Sequence, residues 1–230
     1  MPARRERGSK IDQSQDRART EPLSDTGRAE AFSDGVLAVV ITLLVLEFGV
    51  PESEPGRLLS GLWRQWPLYL ATVTSYLYVG VVWTNHKAAF RRIRAMDRGL
   101  HWANLGVLFA TSLVPFPTAV VAAALRAGNA TDERTTVGLY ALIGVLLCAS
   151  WLVFYHYLGR HPDLAEAGVH EEYFPRERTR AWIGCTLYAV AGVAGLFAPP
   201  VALVIFFALP VFYGITSEGL FEFAGVRRRR

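Results

Sequence analysis

The chain has 230 residues, 52% of them hydrophobic and only 19% charged, with a formal net charge of +4 and a positive mean hydropathy. That balance places it among membrane proteins rather than soluble domains. Its two cysteines, Cys148 and Cys185, lie inside apolar runs and form no CxxC spacing. They read as small buried hydrophobes, and neither a disulfide framework nor a zinc site is expected.

Residues 1–27 are polar and arginine-rich and lack the apolar centre of a signal peptide, so they read as a basic tail. Six segments then supply the roughly 20 mostly apolar residues that a bilayer crossing needs. The first covers about 31–50 and the second about 67–90, where Pro67 suits a first helical turn. The third, about 100–124, is interrupted by Pro115 and Pro117, and the fourth and fifth cover about 136–158 and 179–198. The sixth starts at Pro199-Pro200 and runs to about 216, with Pro210 as the expected kink. A second basic tail, 223–230, ends the chain and leaves 28–222 as one all-α domain of six transmembrane helices. Nothing after residue 100 repeats the 28–47 stretch, so no internal repeat is expected.

Excess Lys and Arg stay on the cytoplasmic side of a membrane protein. With the N-terminus inside, seven basic residues fall in the N-terminal part, five between spans two and three, and four between spans four and five. Four more form the terminal run at 227–230, against only Arg57, Arg64, Arg126 and Arg134 outside. Both termini are therefore expected to be cytoplasmic, which an even number of spans satisfies. Polybasic ends beside a membrane hold topology and touch anionic headgroups, so lipid is expected as a partner and nucleic acid is not.

The first span carries the most informative pattern. A polar cluster of Arg28, Ser33 and Asp34 runs into an apolar helix with one hydroxyl, Thr42, at its middle. At 100° per residue Gly35, Val39, Thr42 and Leu46 form one stripe, which Phe32 and Arg28 extend toward the N-terminus. Asp34 points away from that stripe, toward neighbouring helices, and Glu47 stands beside Leu46 at the far end. Periodicity alone leaves two readings: a pore wall, or ordinary bundle packing with the Thr42 hydroxyl bonded to its own backbone.

Arg28-x-x-x-Phe32-Ser33-Asp34, with Gly35 and the Ile41-Thr42-Leu43-Leu44-Val45-Leu46-Glu47 run, resembles the signature of the transmembrane-protein-175 family of potassium channels. Trp83-Thr84-Asn85-His86, Asn104 and Pro115-Phe116-Pro117 resemble further elements of that family. The resemblance implies a six-span subunit of a homotetramer in a prokaryotic plasma membrane, with the first helix of each subunit lining the pore. It implies passive, weakly to moderately selective K+ conduction without a bound cofactor or resident metal. By analogy Val39 is the narrowest apolar ring, Thr42 a hydroxyl ring and Leu46 a second apolar ring, with Glu47 at the mouth. Relatives often carry the larger Ile or Leu at the Val39 position, which implies a wider, leakier neck here. The same resemblance implies a polar network of Arg28, Ser33, Asp34, His86 and Asn104 that holds and gates the helix, with His86, Asn104 and Arg28 as candidate partners of Asp34.

Other classes are less well served. No Thr-Val-Gly-Tyr-Gly filter and no helix with arginine at every third position occurs, so neither the usual potassium filter nor that kind of voltage sensor is expected. No nucleophile–base pair, HExxH or phosphate loop points to an enzyme. A proton-coupled carrier or proton-permeable channel using Asp34 and His86, and a non-transporting membrane scaffold, stay as alternatives; a carrier would usually show an inverted repeat.

Overall fold

The computed structural model describes residues 25–51 and 53–216. Apart from residues 25–27, the two predicted basic tails lie outside the described residues. Among the described residues the chain is built of α-helices: α1 (Asp25–Leu46), α2 (Leu58–Arg64), α3 (Trp66–Phe90), α4 (Arg98–Ser112), α5 (Pro115–Ala127), α6 (Ala130–Arg160), α7 (Tyr173–Phe197) and α8 (Pro199–Thr216). One 3-10 turn, Pro162–Leu164, lies between α6 and α7.

Local chemistry sets where these helices begin and end. The Asp97 carboxylate accepts the Leu100 N–H at 2.8 Å and starts α4. Asn129 caps α6 in the same way, accepting from Thr131 at 2.9 Å and Asp132 at 3.3 Å. The predicted third span is two helices, because Pro115 and Pro117 have no N–H to give to a continuing ladder and are suited to a first turn. Gly128, at φ 67°, ends α5 in a left-handed conformation that a side chain would strain. The first helix stops at Leu46, short of the expected 50, ahead of Gly49 and Pro51; glycine weakens a helix and proline disfavours helical geometry in the residue before it. Glu47 is therefore just past the helix end.

Each of the six predicted segments is helical. Four stretches, Thr26–Leu46, Arg98–Ala127, Ala130–Arg160 and Tyr173–Phe197, are long and apolar enough to cross a membrane, and Pro199–Ile215 is apolar but shorter. α3 has 25 residues, but its tyrosines, threonines and serine dilute its apolar character. Several of them turn inward: Thr72, Thr74, Ser75 and Tyr78 are buried.

α1 packs against α3 and α4, α3 against α5 and α8, and α6 against α4, α5 and α7. Inside the bundle, Ser75 Oγ lies 2.6 Å from Thr118 Oγ1 and 3.3 Å from Tyr140 Oη, tying α3, α5 and α6 with hydroxyls that find partners at membrane depth. α6 and α7 approach closely because Gly144 leaves room for the Tyr188 ring, where a Cβ would collide with it. At one end of the bundle the α3–α4 and α6–α7 connections join through an antiparallel bridge between Ile93 and Ala165. Arg94 N–H donates to Leu164 O and Glu166 N–H to Arg92 O, both at 2.9 Å, and Arg94 Nη2 donates to Asp163 O at 2.9 Å. Thr26, in the first turn of α1, donates to Arg94 O at 3.4 Å.

Candidate functional site

α1 divides into two faces. Ala29, Ser33, Leu37, Val40 and Leu44 are buried, the four-and-three spacing of a stripe against α3 and α4. The opposite face carries Phe32, Gly35, Val39, Thr42 and Leu46, all exposed. Val39 is 56% and Leu46 77% exposed in the subunit. Beside this face runs an open apolar groove of about 380 Å³, lined by Phe32, Gly35, Val36, Val39 and Leu43 of α1 and by Ser112 of α4.

Thr42 Oγ donates to Val39 O, three residues back, at 2.8 Å. The hydroxyl proton is thereby committed to the backbone, while the oxygen keeps lone pairs on the exposed face. Glu47 is exposed beyond the last turn.

The polar cluster sits on the other face and forms two separate links. Ser33 (0% exposed), Asn104 (3%) and His86 (1%) are buried together. His86 Nε2 lies 2.9 Å from Asn104 Oδ1; Asn104 Nδ2 donates to Ser33 Oγ at 3.0 Å, and Ser33 Oγ donates to Ala29 O at 2.7 Å. Since an amide oxygen only accepts, His86 Nε2 is the donor. The chain thus runs from α3 through α4 into the backbone of α1. His86 also stacks on Phe90, ring centroids 4.3 Å apart, and its Nδ1 is buried with no hydrogen-bond partner.

Asp34 makes the second link. Its Oδ1 accepts from Trp83 Nε1 at 2.9 Å, and Lys87 Nζ stands 5.3 Å from the Trp83 ring centroid, within cation–π range. Of the predicted partners, His86 and Asn104 bond elsewhere, and Arg28 is exposed without a bond to Asp34. The cause is helix rotation: Ser33 and Asp34 are 100° apart, so Ser33 reaches α4 while Asp34 reaches the indole of α3. Trp83 is the residue that sequence reasoning left without a role. Its signal was an aromatic N–H one turn before Lys87 on the helix that packs against Asp34.

The family described as endosomal/lysosomal potassium channel TMEM175 matches residues 28–115, which hold both faces of α1 and both polar links. A potassium channel of Streptomyces collinus is 34% identical over 196 residues, 85% of this chain and 94% of that one. The crystal structure of a lysosomal potassium-selective channel TMEM175 homolog from Chamaesiphon minutus superposes with a TM-score of 0.73 at 31% identity, covering 84% of this chain and 98% of the other. The human endosomal/lysosomal proton channel TMEM175 is 32% identical over 142 residues, 57% of this chain and 28% of that protein. The chain belongs to the TMEM175 family, a family of channels rather than enzymes.

Proposed function

We propose that the chain is the subunit of a homotetrameric potassium channel of a prokaryotic plasma membrane, spanning it six times with both termini in the cytoplasm. The observation that carries this reading is the exposed Phe32–Gly35–Val39–Thr42–Leu46 face on a helix whose other face is fully packed. Four copies of that face around one axis make a conduit with no further element needed. The bacterial relative named a potassium channel, aligned along nearly its whole length, supports K+ as the ion.

In this reading Val39 and Leu46 form apolar rings that act by narrowing and dewetting the path. Thr42 between them turns lone pairs toward a passing cation or its remaining water, and potassium sheds water more readily than sodium. Glu47 raises the local cation concentration at the outer mouth through its field. The Ser33–Asn104–His86 and Asp34–Trp83 links fix the rotation of α1, and so decide which residues face the axis. The test is potassium flux into liposomes holding a verified tetramer under a potassium gradient; absence of flux overturns the reading.

A proton-permeable reading is favoured by one observation, the human relative's name. Against a direct Asp34–His86 relay, the two side chains bond to different partners. The same liposomes under a pH gradient with an interior pH dye decide it: acidification that is lost in Asp34→Asn and His86→Gln supports proton passage.

A further inference from the structure

The connection between α1 and α3 is not a plain loop. Its seven-residue helix α2 exposes Leu58, Leu59, Leu62 and Trp63, ahead of the turn at Gln65 that leads into Trp66 at the start of α3. At 100° per residue these four side chains of α2 share one face. Leu59 is 70% and Trp63 72% exposed. The other side of α2 is tied down. A Cβ on Gly61 would stand 3.1 Å from Ser53 Cβ and 3.2 Å from Pro51 Cβ, so the helix rests directly on the chain leaving α1. Gln65 is buried and donates to Gly49 O at 3.3 Å.

Three features say what covers the apolar face. Across the turn at Gln65 it adjoins the exposed Trp66, Leu70, Val73 and Leu77 of α3, which have the stripe spacing of a surface in hydrocarbon. It is bracketed by Arg57 and Arg64 and carries Trp63, with Trp66 just beyond; leucine and tryptophan on one side with arginine at the rim is the composition of a helix lying in a membrane interface. Finally, α2 runs through one residue into the start of α3 and is held by Gln65 and Gly61 against the chain just past the end of α1, which puts it at the edge of the bilayer.

We propose that α2 is an interfacial anchor, lying in the plane of the headgroup–acyl boundary at the Leu46 end of the bundle, with Leu59 and Trp63 in lipid and Arg57 and Arg64 at the phosphates. Through Gln65 and Gly61 it holds the chain that leaves α1, so the mouth beside Glu47 is tethered to the lipid surface. The inference rests on insertion of the chain in a membrane and not on which ion it conducts.

Spin labels at Leu59→Cys and, separately, Ser60→Cys in the full-length chain test it in phosphatidylcholine liposomes, with the unsubstituted chain labelled in parallel to correct for Cys148 and Cys185. Collision with lipid-dissolved oxygen relative to an aqueous nickel complex is expected to be higher at position 59 than at position 60 by about threefold or more. An equal or reversed ratio overturns the anchor. Dipolar broadening between labels at position 59, with neither reagent reaching them, also overturns it and assigns the face to subunit contact. If Leu59→Cys fails to insert, Leu62→Cys reads the same face. The readout is depth, so a chain that conducts nothing still gives an answer.

Discussion

The two faces of α1 are made from nearly the same amino acids and are solved in opposite ways. On one, Leu37, Val40 and Leu44 are buried and Ser33 is hydrogen-bonded on both sides, so a single subunit satisfies every group. On the other, Val39, Thr42 and Leu46 touch little within the subunit, and the one polar group is satisfied by its own backbone. Hydrophobicity does not tell the faces apart; partnership does. The closed face should therefore govern whether the subunit folds, and the open face what the assembled protein passes.

The largest effect belongs to a cavity on the closed face. Leu44→Ala should cost about 2–5 kcal/mol in equilibrium unfolding in detergent, whereas Leu46→Ala, two residues on, should stay within about 0.5 kcal/mol. Equal losses would break the distinction between the faces. Next comes Asn104→Leu, which strands His86 Nε2, removes the donor to Ser33 Oγ and leaves Ser33 only its bond to Ala29 O; it should cost about 1–3 kcal/mol. A double cycle with Ser33→Ala should return a coupling of about 0.6 kcal/mol or more; strict additivity would mean that the hydrogen-bonded chain does not act as a unit.

On the open face the effects move from stability to flux. Val39→Asn should raise potassium flux severalfold by wetting the neck, with the unfolding midpoint unchanged; unchanged flux would put the constriction elsewhere. Thr42→Ala should lower the K+ to Na+ permeability ratio by roughly two- to tenfold, as loss of one hydrogen-bond-strength ligand implies. A ratio that does not move removes Thr42 from ion selection.

The smallest expected effect lies outside both faces. The Tyr157 hydroxyl donates to Asp97 Oδ2, and that bond, with the Leu100 N–H, holds the carboxyl below its ordinary value of 3.8. A carboxyl lowered in the folded state stabilises at pH above its unfolded value and loses that stabilisation as pH falls through the folded one. A decline in unfolding midpoint confined to pH below about 4, and reduced in Tyr157→Phe, is the expected result. An identical pH profile in the variant would show that the bond does not matter to stability.

How much of this was legible beforehand depends on range along the chain. Long apolar runs reported all six helical segments, because helix formation in an apolar environment needs only local composition. Pro115 reported a break, though not that it would split the third segment into two capped helices. That Gly35, Val39, Thr42 and Leu46 share one stripe followed from the 3.6-residue period; that the stripe is exposed rather than packed did not, because it depends on which face the other helices cover. The pairings of the polar cluster did not follow, because they depend on the rotation of three helices about their own axes. Ser33 and Asp34 differ by one position and end on different helices, and no spacing rule assigns Asn104 to one and Trp83 to the other. α2 was missed for a different reason: seven residues are too few to give a period, and its two prolyl and glycyl flanks at Pro55-Gly56 read as loop.

The ties at the two ends of α1 also restrict how it can move. At its start Thr26 is bound to Arg94, which is itself fastened to Asp163 and Leu164; just past its end Gly49 is bound to Gln65. Sliding α1 along its axis like a piston breaks bonds at both ends together. Bending it at Gly35, where the site of a missing Cβ meets nothing within 4 Å, breaks neither. The helix has a hinge position available between its two polar links and Val39, and ties at both ends that oppose a piston stroke.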